Sequence, residues 1–219
     1  MEIIYIDNKI VVGVKPRGVL STDEPGGMPE LLREAIGDRQ APIYTVHRLD
    51  AAVSGLMVYA RTHHAASDLG KAIREGRFHK EYLAVIHGKP EPPVGMLSDY
   101  LRRDSARRMT FVADAPGKDT REAKLHYAVI DGAEGLSLVW IELVTGRTHQ
   151  IRCQFSHRDF PLWGDRKYGQ PDDGGEIALW SCALAFAHPA TGETLHFSLE
   201  PPKEFPWTLF TERMEKNGN

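Results

Sequence analysis

The chain has 219 residues, of which 42% are hydrophobic and 26% charged, as is ordinary for a soluble globular protein. No apolar run approaches the roughly 18–20 residues that span a membrane, the N-terminus lacks the basic region of a signal peptide, and two cysteines are too few for a disulfide framework or a paired-cysteine metal site. The net charge of −3 by itself argues against a nucleic-acid partner. We therefore expect a cytoplasmic protein with no membrane partner.

Short strand-like runs separated by turn residues dominate the chain. Residues 2–7 and 10–15 are predicted to form a hairpin across Asn8-Lys9. Further strands are predicted over residues 55–60, 81–88, 109–113, 124–130, 136–144, 183–188 and 194–200. The pattern indicates an α+β protein with a mixed, largely antiparallel central β-sheet flanked by a few helices and loops.

Three helices are predicted among these strands. The first covers residues 28–37, and the second covers residues 62–75 with Thr62 as its N-cap. The third begins at Thr148, also as an N-cap, and runs through residue 157. The Pro- and Gly-containing stretch 88–96 is the best hinge candidate, but no composition break indicates a linker, so a single domain over residues 1–219 is expected.

Basic residues are concentrated in the segments 71–80, 100–112 and 147–167. Such a concentration is compatible with an electropositive, RNA-binding face on an acidic protein, although ordinary solvated surfaces explain it equally well. The run LRRDSARRM is too charged for a buried strand and predicts an exposed hairpin. The candidate RNA-binding residues of this hairpin are Arg102, Arg103, Arg107 and Arg108.

Three further segments contain residues suited to chemistry. His47, Arg48 and Asp50 fall in four residues of a predicted loop, where sites commonly lie, although a surface Arg–Asp pair is the simpler alternative. Arg147 follows a strand and a Gly turn at a predicted helix start, where free backbone N–H groups suit phosphate, although a capping turn with solvated arginines explains the segment equally well. Tyr82 lies in an alternating strand as a core residue or as an aromatic plate for a base.

The segments HRLDAAVSGL, KEYLAVIHG, TGRTHQIR and GDRKYG occur in this order. Together they resemble the RluA-type family of RNA pseudouridine synthases over about residues 2–201. The resemblance implies the pseudouridine synthase catalytic fold and the isomerisation of specific uridines in structured RNA, either ribosomal or transfer RNA. It covers the catalytic domain only, and we expect no S4 RNA-binding domain because Met1 lies just before the first strand of that domain.

The resemblance also assigns residues. It places the family's nucleophilic aspartate on Asp50, the arginine paired with it on Arg147, the active-site tyrosine on Tyr82, and the base-displacing, RNA-binding arginine on Arg48. An ionised carboxylate can attack the base, attack the sugar or remove a proton from the sugar, and the sequence does not choose among these.

Isomerisation needs no redox change or external group, so no cofactor is expected. The ten histidines show no HxxxH or HExxH pattern with acids at ligand spacing, so no metal is expected either. We expect a monomer. The alternatives are a non-catalytic RNA-binding protein of the same fold and a carboxylate-dependent hydrolase, which would normally need two catalytic carboxylates.

Overall fold

The computed structural model describes residues 1–171 and 173–210. They fall into two compact units, Met1–Lys80 with Trp180–Glu200, and Glu81–Leu179 with the described residues from Pro201 onward. In chain order, the elements are β1 (Ile3–Ile6), β2 (Ile10–Lys15), α1 (Met28–Ile36), β3 (Tyr44–Thr45), β4 (Ser54–Ala60), α2 (His63–Arg74), β5 (Phe78–His87), β6 (Val94–Asp104), β7 (Met109–Ala113), β8 (Thr120–Ala133), β9 (Leu136–Leu143), α3 (Gln150–Ser156), β10 (Leu179–Ala187) and β11 (Thr194–Ser198).

The strands of the first unit follow the order β1-β2-β4-β10, with β3 on β4 and β11 on β10. The β4–β10 pair is parallel and the others are antiparallel. Gly55 allows the parallel pairing, because a Cβ added there would lie 2.4 Å from the carbonyl oxygen of its register partner Ser181. A side chain at this position would push the two strands apart, which explains the glycine in the segment VSGL.

Helix α2 covers one face of this sheet. Its N-cap is Thr62, whose side chain accepts a hydrogen bond from the Ala65 N–H at 3.1 Å, as the sequence predicted. Leu69 of the helix is buried in an apolar cluster with strand residues of β2, β4 and β10. The members of that cluster are Ile10, Val12, Leu56, Val58, Ala60, Ala65, Leu69, Ala72, Phe78, Leu184 and Phe186. Burial of each large side chain there contributes about 1.5–3 kcal/mol.

The second unit contains an antiparallel sheet in the order β5-β9-β8-β6-β7. Helix α3 packs against one face, where Cys153 meets Leu101 of β6 and Ala123 of β8. The predicted hairpin over residues 100–112 is confirmed as the turn between β6 and β7. The hinge candidate covered residues 88–96, but its last three residues belong to β6. This strand begins at Val94 and is paired with β8 from its first residue.

Helix α3 begins one residue later than the sequence predicted. Its N-cap is His149 in the left-handed region (φ 54°), with no side-chain cap, and Thr148 does not cap the helix. The predicted apolar pair, Ile151 and Phe155, is buried as expected.

Strand pairing in the described residues is mixed and mostly antiparallel with few helices, which confirms the predicted fold class. No helix within residues 1–171 and 173–210 is long and apolar enough to cross a membrane.

Candidate active site

The loop between β3 and β4, residues 46–53, carries the motif HRLD in the first unit. Arg48 is exposed on it, Leu49 is buried and Asp50 is half-buried. The Asp50 carbonyl accepts a hydrogen bond from the Val53 N–H at 3.0 Å, which closes a tight turn just after the carboxylate-bearing residue. Asp50 is therefore held in a defined turn with partial access to solvent.

Ser21 fixes the residue that precedes Asp50. Its hydroxyl donates to the Leu49 carbonyl at 2.8 Å and accepts from the Leu49 N–H at 3.0 Å. The carbonyl of Ser21 in turn accepts hydrogen bonds from the hydroxyls of Tyr59 at 2.9 Å and Thr45 at 3.2 Å. Because Ser21 is buried, these bonds are not exchanged readily for bonds to water, and the loop position is well determined.

Lys15 fixes the residue that follows Asp50. Its buried ammonium donates to the carbonyls of Ala51 at 3.0 Å, Pro16 at 2.9 Å and Val19 at 2.6 Å, which uses all three of its N–H groups. Burial lowers the pKa of Lys15 from 10.5 to about 8, while the Asp50 carboxylate acts in the opposite direction. Lys15 thus joins the end of β2 to the Asp50 turn and places a positive charge close enough to act on Asp50.

The histidine of the motif has a structural role. The Nε2 atom of His47 accepts a hydrogen bond from the Val58 N–H of β4 at 3.2 Å, and the ring packs against Phe78 with centroids 5.5 Å apart. Burial lowers the pKa of His47 to about 3, and the charge of Lys80 adds to this. His47 is therefore neutral at physiological pH and packs the loop onto β4.

Tyr82 and Arg147 belong to the second unit. Tyr82 is a buried residue of β5, in register with Ile141 of β9. Its burial pattern agrees with the predicted face shared with Ala84 and Ile86. Arg147 is exposed in the turn between β9 and α3, where its Nε atom donates to the Glu122 carbonyl at 2.9 Å.

The buried side chain of Gln150 shapes the turn that carries Arg147. Its Oε1 atom accepts from the Arg147 N–H at 3.0 Å and from the Thr145 hydroxyl at 2.8 Å, and its Nε2 atom donates to the Lys124 carbonyl at 3.0 Å. The Arg147 N–H is consequently occupied inside the protein. The sequence had suggested free N–H groups at this helix start, and for Arg147 that expectation is wrong.

A second network connects this turn to the segment GDRKYG. The hydroxyl of Tyr168 lies 2.8 Å from the Nδ1 atom of His149 and accepts a hydrogen bond from the Thr110 N–H of β7 at 2.7 Å. The Tyr168 ring also lies against the Arg152 guanidinium, 5.2 Å from ring centroid to Cζ. Tyr168 therefore joins β7, α3 and the turn before α3 within the second unit.

Two arginines that the sequence counted in a basic segment are structural. Arg152 forms two hydrogen bonds of 2.7 Å with the buried carboxylate of Asp165, and Arg158 forms two of 2.9 Å with Asp99. Both guanidiniums are neutralised inside the second unit. Both are paired with carboxylates, and the Arg152 side chain is only 6% exposed, so they offer RNA phosphates less free charge than the interpretation of segment 147–167 assumed.

The four arginines of the predicted hairpin are all exposed. Arg102 and Arg103 lie near the end of β6, and Arg107 and Arg108 lie in the turn before β7. Three of them, Arg102, Arg103 and Arg107, line an open cavity of about 500 Å³. The hairpin thus presents positive charge to solvent, as the sequence predicted. Among residues 1–171 and 173–210, no group of three His, Cys, Asp or Glu side chains is placed to hold a metal ion.

Comparison with known proteins decides the family. The model of the RNA pseudouridylate synthase family matches residues 9–157, more than half of the chain. The chain belongs to this family. It is 31% identical to the uncharacterized RNA pseudouridine synthase YlyB of Bacillus subtilis, over all of this chain and 74% of that protein. It is also 31% identical to the ribosomal large subunit pseudouridine synthase D of Zymomonas mobilis, again over all of this chain and 74% of that protein.

A solved structure supports the pseudouridine synthase fold. The human RNA pseudouridylate synthase domain containing 4 matches with a TM-score of 0.78 at 22% identity, over 95% of this chain and 91% of that chain. At this identity the likeness concerns the fold alone. With the family established by sequence, the chain is a pseudouridine synthase, an isomerase that modifies RNA.

Sequence reasoning missed three residues that organise the site. Lys15 stands in the segment VKPRGVL, and its contact with Ala51 spans 36 positions of the chain, so no local pattern announces it. Gln150 lies inside TGRTHQIR but offers only an ordinary amide. Ser21 has no local signal at all, because its partner Leu49 is 28 positions away along the chain.

Proposed function

We propose that the protein converts specific uridines to pseudouridine in structured RNA, with Asp50 as the catalytic carboxylate. The observation that carries this proposal is the anchoring of both neighbours of Asp50, Leu49 by Ser21 and Ala51 by Lys15. A loop fixed on each side of one carboxylate is an arrangement suited to catalysis, since a catalytic group has to be held close to its productive geometry.

The reaction breaks the bond between uracil N1 and the ribose C1′ and forms a bond from C1′ to the uracil C5, with the C5 proton moving to the solvent or to N1. Nothing is oxidised and no group leaves. Asp50 acts on the base, on the sugar carbon or on a sugar proton, and every one of these routes requires the ionised carboxylate. The buried ammonium of Lys15 interacts electrostatically with Asp50, and this interaction raises the pKa of Lys15 against the effect of burial.

Further roles are proposed from the matching family motifs. The exposed Arg48 stands two residues before Asp50, from where it can fill the space that the target base vacates when it leaves its stack. Tyr82 offers an aromatic ring to the displaced uracil, and Arg147 offers a guanidinium to the reacting groups. The pairing of Arg147 with Asp50 stays a prediction from the motifs.

We propose ribosomal RNA as the first substrate to test, with transfer RNA as the second. The relatives from Zymomonas mobilis and Vibrio cholerae are both named ribosomal large subunit pseudouridine synthases D. The exposed arginines of the β6–β7 hairpin offer contacts for the phosphates of such an RNA. We further propose that the protein acts in the cytoplasm as a monomer.

The proposal is tested by mapping pseudouridine in total RNA from cells with and without the gene, and by treating the same unmodified RNAs with the purified protein. We expect a pseudouridine that is lost from the deletion strain and restored in vitro without change in RNA mass. Release of free uracil would identify a hydrolase, and RNA binding with no chemical change would identify a non-catalytic binding protein. Either result would overturn the proposal.

A further inference from the structure

The cavity at the β6–β7 hairpin combines positive charge with an aromatic ring. It has a volume of about 500 Å³ and is lined by Arg102, Arg103, Asp104, Ser105, Arg107 and Phe111. This volume falls within the range of about 300–1,000 Å³ typical of small-ligand sites. The lining contains three arginines and one aspartate, so its net positive charge favours an anionic ligand.

The strand register places Phe111 beside an arginine on the open side of the hairpin. Phe111 of β7 is directly opposite Arg102 of β6, and these two side chains therefore share one face of the sheet. The neighbouring pair, Arg103 and Thr110, alternates to the other face, where Thr110 is buried. Phe111 is only half-buried, so part of its ring remains accessible.

The turn that closes the cavity is held in place. Asp104 accepts a hydrogen bond from the Arg107 N–H at 2.9 Å, and its second oxygen lies 3.7 Å from the Arg107 Nε atom. The Arg108 carbonyl accepts from the Lys167 Nζ atom at 2.9 Å. The arginines are thus presented by a fixed turn, which lowers the entropy lost when a ligand binds.

We propose that this cavity binds one unpaired nucleobase of the substrate RNA, stacked on Phe111, with Arg102 and Arg107 contacting the adjoining phosphates. The inference rests on the proposed RNA substrate and adds a recognition site away from the reacting base. Aromatic and guanidinium planes are the groups on which proteins stack splayed RNA bases. A site that bound phosphate alone would gain nothing from a partly exposed phenyl ring.

The position of the cavity within the second unit links it to the turn of Arg147. The Arg103 guanidinium lies 3.5 Å from the Thr148 hydroxyl, one residue after Arg147. The Thr110 N–H, next to Phe111, donates to the Tyr168 hydroxyl, which contacts His149. Arg103, which lines the cavity, therefore connects it to the turn that carries Arg147 within the second unit.

The test combines a protein series with an RNA series. The proteins are the wild type, Phe111→Leu, which keeps an apolar side chain without a ring, and Phe111→Tyr, which keeps the ring. The probes are a fluorescein-labelled RNA stem–loop with a uridine-containing loop and variants in which one loop nucleotide at a time is abasic. Dissociation constants are measured by fluorescence anisotropy at several salt concentrations.

We expect Phe111→Leu to weaken binding of the intact RNA about 5-fold or more, as for the loss of one stacked base, and Phe111→Tyr to restore it. At one loop position, removing the base and the change Phe111→Leu should each weaken binding. The two changes combined should weaken binding no more than either change alone. The salt slope should stay unchanged in Phe111→Leu, since no phosphate contact is removed.

Additive effects at every loop position would overturn the inference, as would an unchanged affinity of Phe111→Leu or a failure of Phe111→Tyr to restore binding. Because these are equilibrium measurements, they separate the two proposals. If the protein isomerises uridine but no loop position shows a non-additive effect with Phe111→Leu, only the base-binding cavity is refuted. If one loop position shows the non-additive effect but no pseudouridine is formed, only the proposed isomerisation is refuted.

Discussion

The Ser21 hydroxyl and the Leu49 backbone exchange two hydrogen bonds, one of 2.8 Å to the carbonyl and one of 3.0 Å from the N–H. A serine far away in the chain thereby completes both backbone hydrogen bonds of the residue that precedes the proposed catalytic carboxylate. Because Ser21 is buried, water cannot easily replace it. The geometry of Asp50 depends on this pair.

Ser21→Ala should leave the Leu49 backbone groups unsatisfied and lower the free energy of unfolding by about 1–3 kcal/mol. It should also lower kcat more than it raises KM, since RNA binding does not involve Ser21 whereas the placement of Asp50 does. Urea denaturation and steady-state kinetics measure the two effects. Ser67→Ala, at an exposed position of α2, is the control and should change neither. Wild-type kcat in Ser21→Ala would show that this anchor does not position Asp50.

The depressed pKa of Lys15 predicts a pH-dependent stability. Its pKa is about 8 in the folded protein and 10.5 in the unfolded chain, so between these values the unfolded state binds more protons. Burial of the charged Lys15 ammonium therefore lowers the free energy of unfolding by its full amount below pH 8, and this loss is relieved as the pH rises toward 10.5. The difference in unfolding free energy between the wild type and Lys15→Met should therefore shift in favour of the wild type from pH 7.5 to about 10. Urea denaturation across this window measures it, and a constant difference would contradict the prediction.

Two arginines of the second unit, Arg152 and Arg166, provide a comparison of buried and exposed ion pairs. Arg152→Ala should strand the buried Asp165 carboxylate and cost about 3–5 kcal/mol of stability. Arg166→Ala removes an arginine that is 78% exposed and 3.3 Å from Glu176, and it should cost less than about 1 kcal/mol. Thermal or chemical denaturation of the two variants should separate them clearly. Equal effects would mean that Arg152 is not the structural residue described above.

Changing Arg102, Arg103, Arg107 and Arg108 together to Gln should weaken binding to all RNAs and flatten the dependence of log Kd on log salt. Each lost phosphate contact reduces the slope by about 0.7–0.9. Turnover of bound RNA in single-turnover experiments should change less, because the proposal assigns these residues to the RNA backbone and not to the reacting base. Arg39→Gln, an exposed change on the first unit, should leave the slope unaltered. An unchanged slope in the fourfold variant would show that the hairpin arginines are merely solvated.

The fold was largely predictable where local signals determine it. Helix α2 was predicted from its cap and periodicity, because Thr62 and Ala65 lie within one turn of each other. The start of α3 was not, because the left-handed conformation of His149 is supported by Tyr168, which is 19 positions away. Long-range partners of this kind have no local sequence pattern.

The same reason explains what was missed at the site. The motif HRLD identified the loop, but its anchors Ser21 and Lys15 bond to it over 28 and 36 positions. The charge of segment 147–167 was overestimated because Arg152 and Arg158 are neutralised by Asp165 and Asp99, the latter 59 positions away. Counting charges along the chain does not reveal which of them are paired in space.

The most direct test of the account is pseudouridine formation by purified Asp50→Asn on unmodified ribosomal RNA, measured by chromatographic separation of pseudouridine from uridine after digestion to nucleosides, beside the wild type and the exposed-site control Asp114→Asn. The amide keeps the size of the side chain but cannot serve as a nucleophile or a base. We predict wild-type thermal stability and RNA affinity for Asp50→Asn with no pseudouridine above background, while Asp114→Asn retains full activity. Substantial pseudouridine formation by the Asp50→Asn protein would contradict the assignment of Asp50 as the catalytic carboxylate.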